Sequence, residues 1–399
     1  QADGAPLAQV EAWHDQPHAY AKLWKHHAAE PYAQAINAAQ PAFLERYGGK
    51  TSAEWSLAKA WEVMEQAPRV WVEADRWIEA GDWLVWQLTG EEVRSSCQAG
   101  YKAHYQLDQG GYPPADALEQ LRPGLSGWLA KLAEPRPVGT RAGGLNRAIS
   151  EASGLKEHTP VAVALIDAHA AVPGLGVEGP GVLAVVLGTS TCHLALSRRP
   201  LPAVGIPGVV KDGILPGYYG YEAGQAATGD MLAWWIRTLS FASSMPQETL
   251  FERLNTEAAQ IKGPSGLLAM DWWNGCRTPL MDAGLQGMIR GMTLSTTPAQ
   301  IYRALVEATA YGTRLVMDTL EPAVGEIHEL RLTGGLSRIP FIAQLYADVL
   351  EREVLVGSPN ASARGAAVWG GMAGGGDIPQ VHRMSRFVPT GRLYSDTYQ

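Results

Sequence analysis

The sequence predicts an α/β protein built from two domains, and three observations carry that expectation. A chain of 399 residues exceeds what one hydrophobic core usually organises, so two domains follow from length. Residues 161–196 (VAVALIDAHAAVPGLGVEGPGVLAVVLGTSTCHLAL) hold three apolar, β-rich runs. These are Val161 to Ile166 ending on Asp167, Val182 to Leu187, and a run to Leu196, the last two separated by a tight Gly188-Thr189-Ser190 turn. The same grammar returns further on, as strand Glu329 to Leu332, Thr333-Gly334-Gly335, a helical SRIPFIAQLYADVL and strand Glu353 to Val356.

Composition narrows the class. Hydrophobic content of 46% with 18% charged residues describes a globular chain and excludes intrinsic disorder. A net charge of -8 and a pI near 5.7 argue against non-specific nucleic-acid binding and fit a soluble enzyme, which the cysteine usage assigns to the cytoplasm. Cys97, Cys192 and Cys276 lie far apart with no Cys-x-x-Cys pair, which predicts reduced thiols and neither a disulfide framework nor a zinc site. No apolar run reaches the ~18 residues needed to span a bilayer, so no membrane partner is expected. The 14 tryptophans are read as bulky core filling.

Taken in order, HAYAKLWKHHAAEP from His18 is expected to be a helix carrying Lys22, Trp24, Lys25, His26 and His27. Adjacent histidines do not share a helix face, so no metal is assigned there. Trp24 flanked by lysines leaves two readings, a stacking wall for a sugar or a core tryptophan. Helices are expected before Pro68 and before Gly90, with Trp77, Leu84 and Leu88 as the buried stripe of the latter. Residues 107–157 read as loops with short helices, and 205–220 as a loop or β-meander. Residues 266–292 read as loop-rich, with Arg277 and Asp282 as structural partners. Pro298 opens a long amphipathic helix buried through Ile301, Leu305, Ala308, Leu315 and Leu320. ARGAAVWGGMAGGG closes the regular part as a small-residue helix.

Chemistry concentrates in the central stretch. A carboxylate at the end of a buried strand is costly without a ligand or partner, which singles out Asp167. A Gly-Thr-Ser turn offers close backbone approach, N–H groups and two hydroxyls, which suits a phosphate. Gly334-Gly335 at a strand-to-helix turn permits close approach of a nucleotide, and together with Gly188-Thr189-Ser190 makes a two-sided cleft. An acid beside such a cradle is the minimal equipment for phosphoryl transfer to an alcohol. Glu222 is open to two readings, a ligand of sugar hydroxyls or a charge at the start of a helix from about Thr228. Lys102 alone reads as a surface charge.

Several blocks then converge. KLWKHHAA (22–29), AGYKA (99–103), IDAHAAVPGLGV (166–177), LGTSTCH (187–193), ILPGYYGYEAGQAATGD (214–230), LLAMDWWNGCR (267–277) and LTGGLSRIPFIAQLYADVL (332–350) resemble the FGGY family of carbohydrate kinases. The Asp-Ala-His-Ala, Gly-Tyr-Glu-Ala-Gly-Gln and Asp-Trp-Trp-Asn-Gly blocks are similar to its ribulokinase branch. The resemblance implies a two-domain actin-like/hexokinase-like (ribonuclease H-like) fold with a central cleft. Residues 1–175 would form an incomplete N-terminal domain on the sugar side, and residues 176–399 the C-terminal domain on the ATP side. It implies ATP-dependent phosphorylation of L-ribulose to L-ribulose 5-phosphate in arabinose catabolism, with Asp167 as general base. Lys102 and Glu222 would hold the sugar with it. Gly188, Thr189, Ser190, Gly334 and Gly335 would bind ATP with Mg2+, and the chain would form a homodimer. A related pentulose or pentitol, or a truncated sugar- or nucleotide-binding module, are the alternatives. Two departures stand against the family pattern: its first phosphate hairpin has no counterpart, and the tail after Gly376 is shorter than the family's closing helix.

Overall fold

The computed structural model describes residues 1–24, 26–201, 204–377, 384–391 and 394. Lys25 and most of the tail after Gly376 lie outside the described residues. The chain divides into two units. The first comprises Gln1–Ala170, Gly208–Gly220 and Ala366–Pro379, and the second Ala171–Pro207, Tyr221–Gly365 and Gln380–Gln399.

The second unit grows from the apolar runs seen in the sequence. Val182–Leu187 and Thr191–Ser197 form an antiparallel hairpin in which Leu187 faces Thr191, so Gly188-Thr189-Ser190 is its turn. Val182–Leu187 also pairs in parallel with Glu329–Thr333, from Glu329 opposite Val182 to Thr333 opposite Val186. Glu329–Thr333 in turn pairs in parallel with Glu353–Val356. The sheet of this unit runs in the order Ser385–Phe387, Glu353–Val356, Glu329–Thr333, Val182–Leu187, Thr191–Ser197, Tyr219–Gln225. Leu183, Val185, Leu187, Leu330, Leu332 and Val354 are fully buried, as expected for parallel strands covered on both faces.

Pro298–Val324 is the long helix expected, started by a capping box between Thr297 and Gln300 with Pro298 in the first turn. Its buried surface is wider than the predicted stripe: Tyr302 to Ala310 are all buried, whereas Leu315 is exposed. The burial extends to charge. Glu307 takes the Arg303 Nε–H at 3.0 Å and the Ser265 Oγ–H at 2.7 Å, so neither buried charge is left unpaired.

The first unit is mainly helical. Its core gathers Ala33, Ile36, Leu57, Ala58, Ala60, Leu118, Leu125 and Trp128 from Glu30–Ala39, Ser56–Gln66, Ala115–Leu121 and Leu125–Lys131. Trp55, Trp86, Trp128 and Trp369 are buried, as core filling requires, but Trp24 is 58% exposed.

Three expectations are corrected here. The segment from His18 is not a helix: a short turn spans Pro17–Ala19, and regular helix begins only at Glu30. Tertiary partners hold the intervening chain instead. Lys59 Nζ donates to the Leu23 carbonyl at 2.9 Å, and His26 Nε2 meets the buried Glu62 carboxylate at 2.8 Å. On Ala80–Thr89 the buried face is Asp82, Val85 and Trp86, while Leu84 is exposed. Asp82 can lie inward because Gln98 Nε2 donates to its Oδ1 at 3.0 Å. Finally, the strand before Asp167 spans only Pro160–Ala162, and Asp167 opens a helix, Asp167–Gly174, where a connection was expected.

That helix lies against Ala361–Ala373 at very close range. A Cβ on Gly174 would sit 1.9 Å from the Ala361 carbonyl oxygen, so the contact is backbone against backbone and has no side chain to yield. Gly174→Ala is expected to lower stability by about 1–3 kcal/mol or more, read as a drop in Tm. Gly371→Ala, on the facing helix and in open space, is the control and should leave Tm unchanged or raise it, by roughly 0.5–1 kcal/mol.

Candidate active site

Three parallel strands of the second unit end at the same edge, each followed at once or within one residue by glycine: Leu187-Gly188, Thr333-Gly334 and Val356-Gly357. Ligands of open α/β sheets bind outside the carboxyl ends of such strands. Gly334 is required by geometry. Its φ is +100°, and a Cβ there would fall 2.2 Å from the Leu187 carbonyl oxygen. Gly334 and the hairpin turn are thereby brought together, as the pairing of these motifs in the sequence anticipated. Gly335 has ordinary φ, and a Cβ on it would meet nothing within 4 Å.

The turn is braced from below by a helix. Thr228 N–H and Asp230 N–H donate to the Thr189 carbonyl at 2.9 and 3.1 Å, and Gly229 N–H donates to the Gly188 carbonyl at 3.0 Å. These bonds satisfy the first amides of helix Gly229–Ala242 and turn the carbonyls of the turn away from any anion. The hydroxyls of Thr189 and Ser190 bond to no other described residue. Gly229 and Gly357 were not singled out in the sequence, and Thr228 was noted only as the start of a helix. The only signal for Gly357 was a glycine directly after a four-residue apolar strand.

Glu222 lies half-buried in strand Tyr219–Gln225 of the same sheet. It precedes the helix by several residues, so it is not a charge at the helix start. Three residues on, Gln225 Nε2 donates to Asp271 Oδ2 at 2.7 Å and to the Thr309 carbonyl at 2.9 Å, while its Oε1 accepts from Thr313 at 2.9 Å. Two blocks noted separately in the sequence, Gly-Tyr-Glu-Ala-Gly-Gln and Asp-Trp-Trp-Asn-Gly, therefore meet through one buried amide–carboxyl bond. Burial raises the Asp271 carboxyl above its ordinary range, against the pull of Gln225. In the stretch that holds Arg277 and Asp282, Cys276 N–H donates to the Asp282 carbonyl at 2.8 Å and Asp282 N–H to the Cys276 carbonyl at 2.9 Å.

Lys102 and Asp167 belong to the first unit. Lys102 is half-buried on helix Ser96–Ala103 and makes no hydrogen bond or ion pair within 4 Å to another described residue. Its charge is nevertheless felt by Glu79, whose carboxyl burial raises and Lys102, Lys59 and Arg94 draw back down. Asp167 is exposed, and among the described residues its Oδ1 accepts the neighbouring Ala168 N–H, at 2.8 Å. The Ser95 hydroxyl joins the two segments. It accepts from Cys97 and Gln98 N–H as helix cap and donates to the Ala164 carbonyl at 2.5 Å, three residues before Asp167.

A sheet with glycine turns at the ends of its parallel strands, in a two-unit α/β chain, agrees with the actin-like and hexokinase-like fold that the resemblance implied. Comparison with known proteins agrees. Residues 183–374 match the FGGY family of carbohydrate kinases, C-terminal domain. A ribulokinase from Bacillus licheniformis is 44% identical over 94% of this chain and 70% of its own length. One from Halalkalibacterium halodurans is 44% identical over 100% of this chain and 73% of its own. Among solved structures, xylulose kinase from Rhodospirillum rubrum shares the fold with a TM-score of 0.80 at 23% identity, over 94% of this chain and 75% of that one. The chain belongs to the FGGY family of carbohydrate kinases. Among the described residues, no helix is long and apolar enough to cross a membrane.

The helix that carries Lys102 rests on a titratable group. Burial pushes the Asp82 carboxyl up to about 7, with Glu79 adding and Arg94 and the Ser95 N–H opposing. Because the folded value lies above the unfolded one near 4, the folded state holds a proton that the unfolded chain has lost across that window. Stability from this group is therefore greatest in acid and declines as pH rises toward about 7. Asp82→Asn keeps an acceptor for Gln98 and is expected to raise Tm at pH 8, by the equivalent of a few kcal/mol at most, with the gain vanishing near pH 4. Thermal melts of both proteins across that range test it.

Proposed function

We propose that this chain phosphorylates L-ribulose with ATP to give L-ribulose 5-phosphate. The observation that carries the reading is the 44% identity to two ribulokinases, spread over 94% and 100% of the chain. Asp167 is the general base. Its exposed carboxylate takes the proton of the primary hydroxyl as that oxygen bonds to the γ-phosphorus, and the bond from phosphorus to the bridging oxygen breaks to release ADP. Lys102, whose ammonium is not engaged by another described residue, and Glu222 hold the remaining hydroxyls.

The turn Gly188-Thr189-Ser190 fits phosphates. Its carbonyls are occupied by the helix below, and its hydroxyls are uncommitted among the described residues. Gly334 and Gly335 form the adenosine side, where the open space above Gly335 accommodates a ligand. Magnesium would neutralise charge on the phosphates. That ion keeps most of its ligands as phosphate oxygen and water.

Asp167→Asn is expected to lower kcat by about 10²–10⁴ while calorimetric binding of L-ribulose persists; a kcat near that of the parent would remove Asp167 from the role of base. The parent chain assayed on L-ribulose, D-ribulose and ribitol should favour L-ribulose in kcat/KM, and equal or greater turnover of another sugar would reassign the substrate. Gly335→Ala leaves the fold unstrained, so a rise in KM for ATP at unchanged Tm is the expected mark of a nucleotide beside it.

A further inference from the structure

The Asp-Ala-His-Ala block contributes Asp167 to the proposed chemistry but leaves its histidine unexplained. His169 is 1% exposed and lies stacked on Tyr101, with ring centroids 4.3 Å apart and planes at 25°. The other buried histidine with aromatic neighbours, His104, meets Phe43, Tyr47 and Trp55 only edge-on, at 65–71°. A flat stack fixes the relative plane of two rings, and therefore of the two helices that bear them, more closely than edge contacts do. Tyr101 directly precedes Lys102 on Ser96–Ala103, and His169 follows Asp167 by two residues on Asp167–Gly174.

Tyr101 holds a third element as well. Its hydroxyl donates to the Gly220 carbonyl at 2.7 Å, inside the strand that carries Glu222. Two glycines admit the ring. A Cβ on Gly213 would lie 2.8 Å from Tyr101 Cε2, and one on Gly220 would lie 2.4 Å from Tyr101 Oη. The remaining contacts of the helix point the same way, since the Ser95 hydroxyl grips Ala164 and the Ser96 hydroxyl donates to the Asp212 carbonyl at 2.8 Å. One buried side chain thus touches the helix after Asp167 and the strand before Glu222 while adjoining Lys102 in sequence.

We propose that Tyr101 is the positioning residue of the sugar site: its ring, through His169, and its hydroxyl, through Gly220, set the register of the segments bearing Asp167 and Lys102. Being 1% exposed, it acts without touching substrate. The proposal rests on the function proposed above. Displacing a reacting group by about 1 Å can cost on the order of 10² in rate, so turnover should fall far more than stability when the register loosens.

The test uses the full chain as Tyr101→Phe, which keeps the stack and drops the hydroxyl, and Tyr101→Leu, which drops both. Kinetics on L-ribulose and ATP are read beside amide exchange without substrate. Tyr101→Phe is expected to lose about tenfold in kcat/KM for L-ribulose and Tyr101→Leu about 100-fold, with KM for ATP within about twofold. Amide exchange should quicken in both 167–174 and 219–225 but not in 298–324. Combined with Lys102→Met, Tyr101→Leu should add little further loss, because the two share one pathway. Multiplying losses, sugar kinetics within about twofold of the parent, or quickened exchange confined to 96–103 would each overturn the proposal. If the parent chain itself turns over no L-ribulose, the proposed function fails, and the exchange pattern alone then decides whether Tyr101 sets the register.

Discussion

The parallel pairing of Val182–Leu187 with Glu329–Thr333 is the constraint on which the second unit depends. Five residues register, and the last, Thr333, stands opposite Val186. The chain must then leave the sheet while passing the Leu187 carbonyl, and only a residue without a Cβ can take φ +100° there. From that passage follow the short turn Leu336–Arg338 and helix Pro340–Leu350 on one side. On the other, the Gly188-Thr189-Ser190 turn is left standing with its carbonyls fastened to the helix from Gly229. For the phosphate contact proposed for this turn, rigidity counts for more than reach, because electrostatic stabilisation works best when no reorganisation is needed.

The first unit solves a different problem, holding charged side chains inside a helical layer. Glu62 is 1% exposed and is met by His26, while Arg46 closes a two-pronged pair on Asp108 at 2.6 and 2.9 Å that Tyr219 completes at 2.8 Å. Leaving any such charge unpaired would be strongly destabilising. These pairs are specific in direction and length, so they fix segments that propensity would leave free, including the irregular chain between Ala19 and Glu30. Lys102 is the contrast. It stands half-buried with its ammonium unclaimed by another described residue. In the same unit, a cavity of about 20 Å³ is lined by Ser56, Glu79, Asp82, Arg94 and Ala99, among others. It is large enough for one water, and Arg94 Nε there has no protein partner among the described residues.

What the amino-acid order determined by itself was whatever depends on local periodicity and on residues with special backbone geometry. The apolar runs at 182–187, 329–332 and 353–356, the turns at 188–190 and 334–335, Pro298 in a first helical turn, and the α/β class follow from period, β-branching, the fixed φ of proline and the absence of a Cβ. The family, too, was legible, because the blocks that carry it are contiguous in sequence. What only the tertiary structure decided was set by partners distant along the chain. The region after His18 has helical composition, but its contacts with Glu62 and Lys59 hold it in irregular chain. The inward face of Ala80–Thr89 turns on Asp82, which a pattern of apolar residues cannot reveal, because its burial depends on Gln98. The join of Gln225 to Asp271, and of Tyr101 to His169 and Gly220, spans 46, 68 and 119 positions. Such contacts leave no period to read: a buried polar group is stable only when its partner arrives, and the fold alone brings it there.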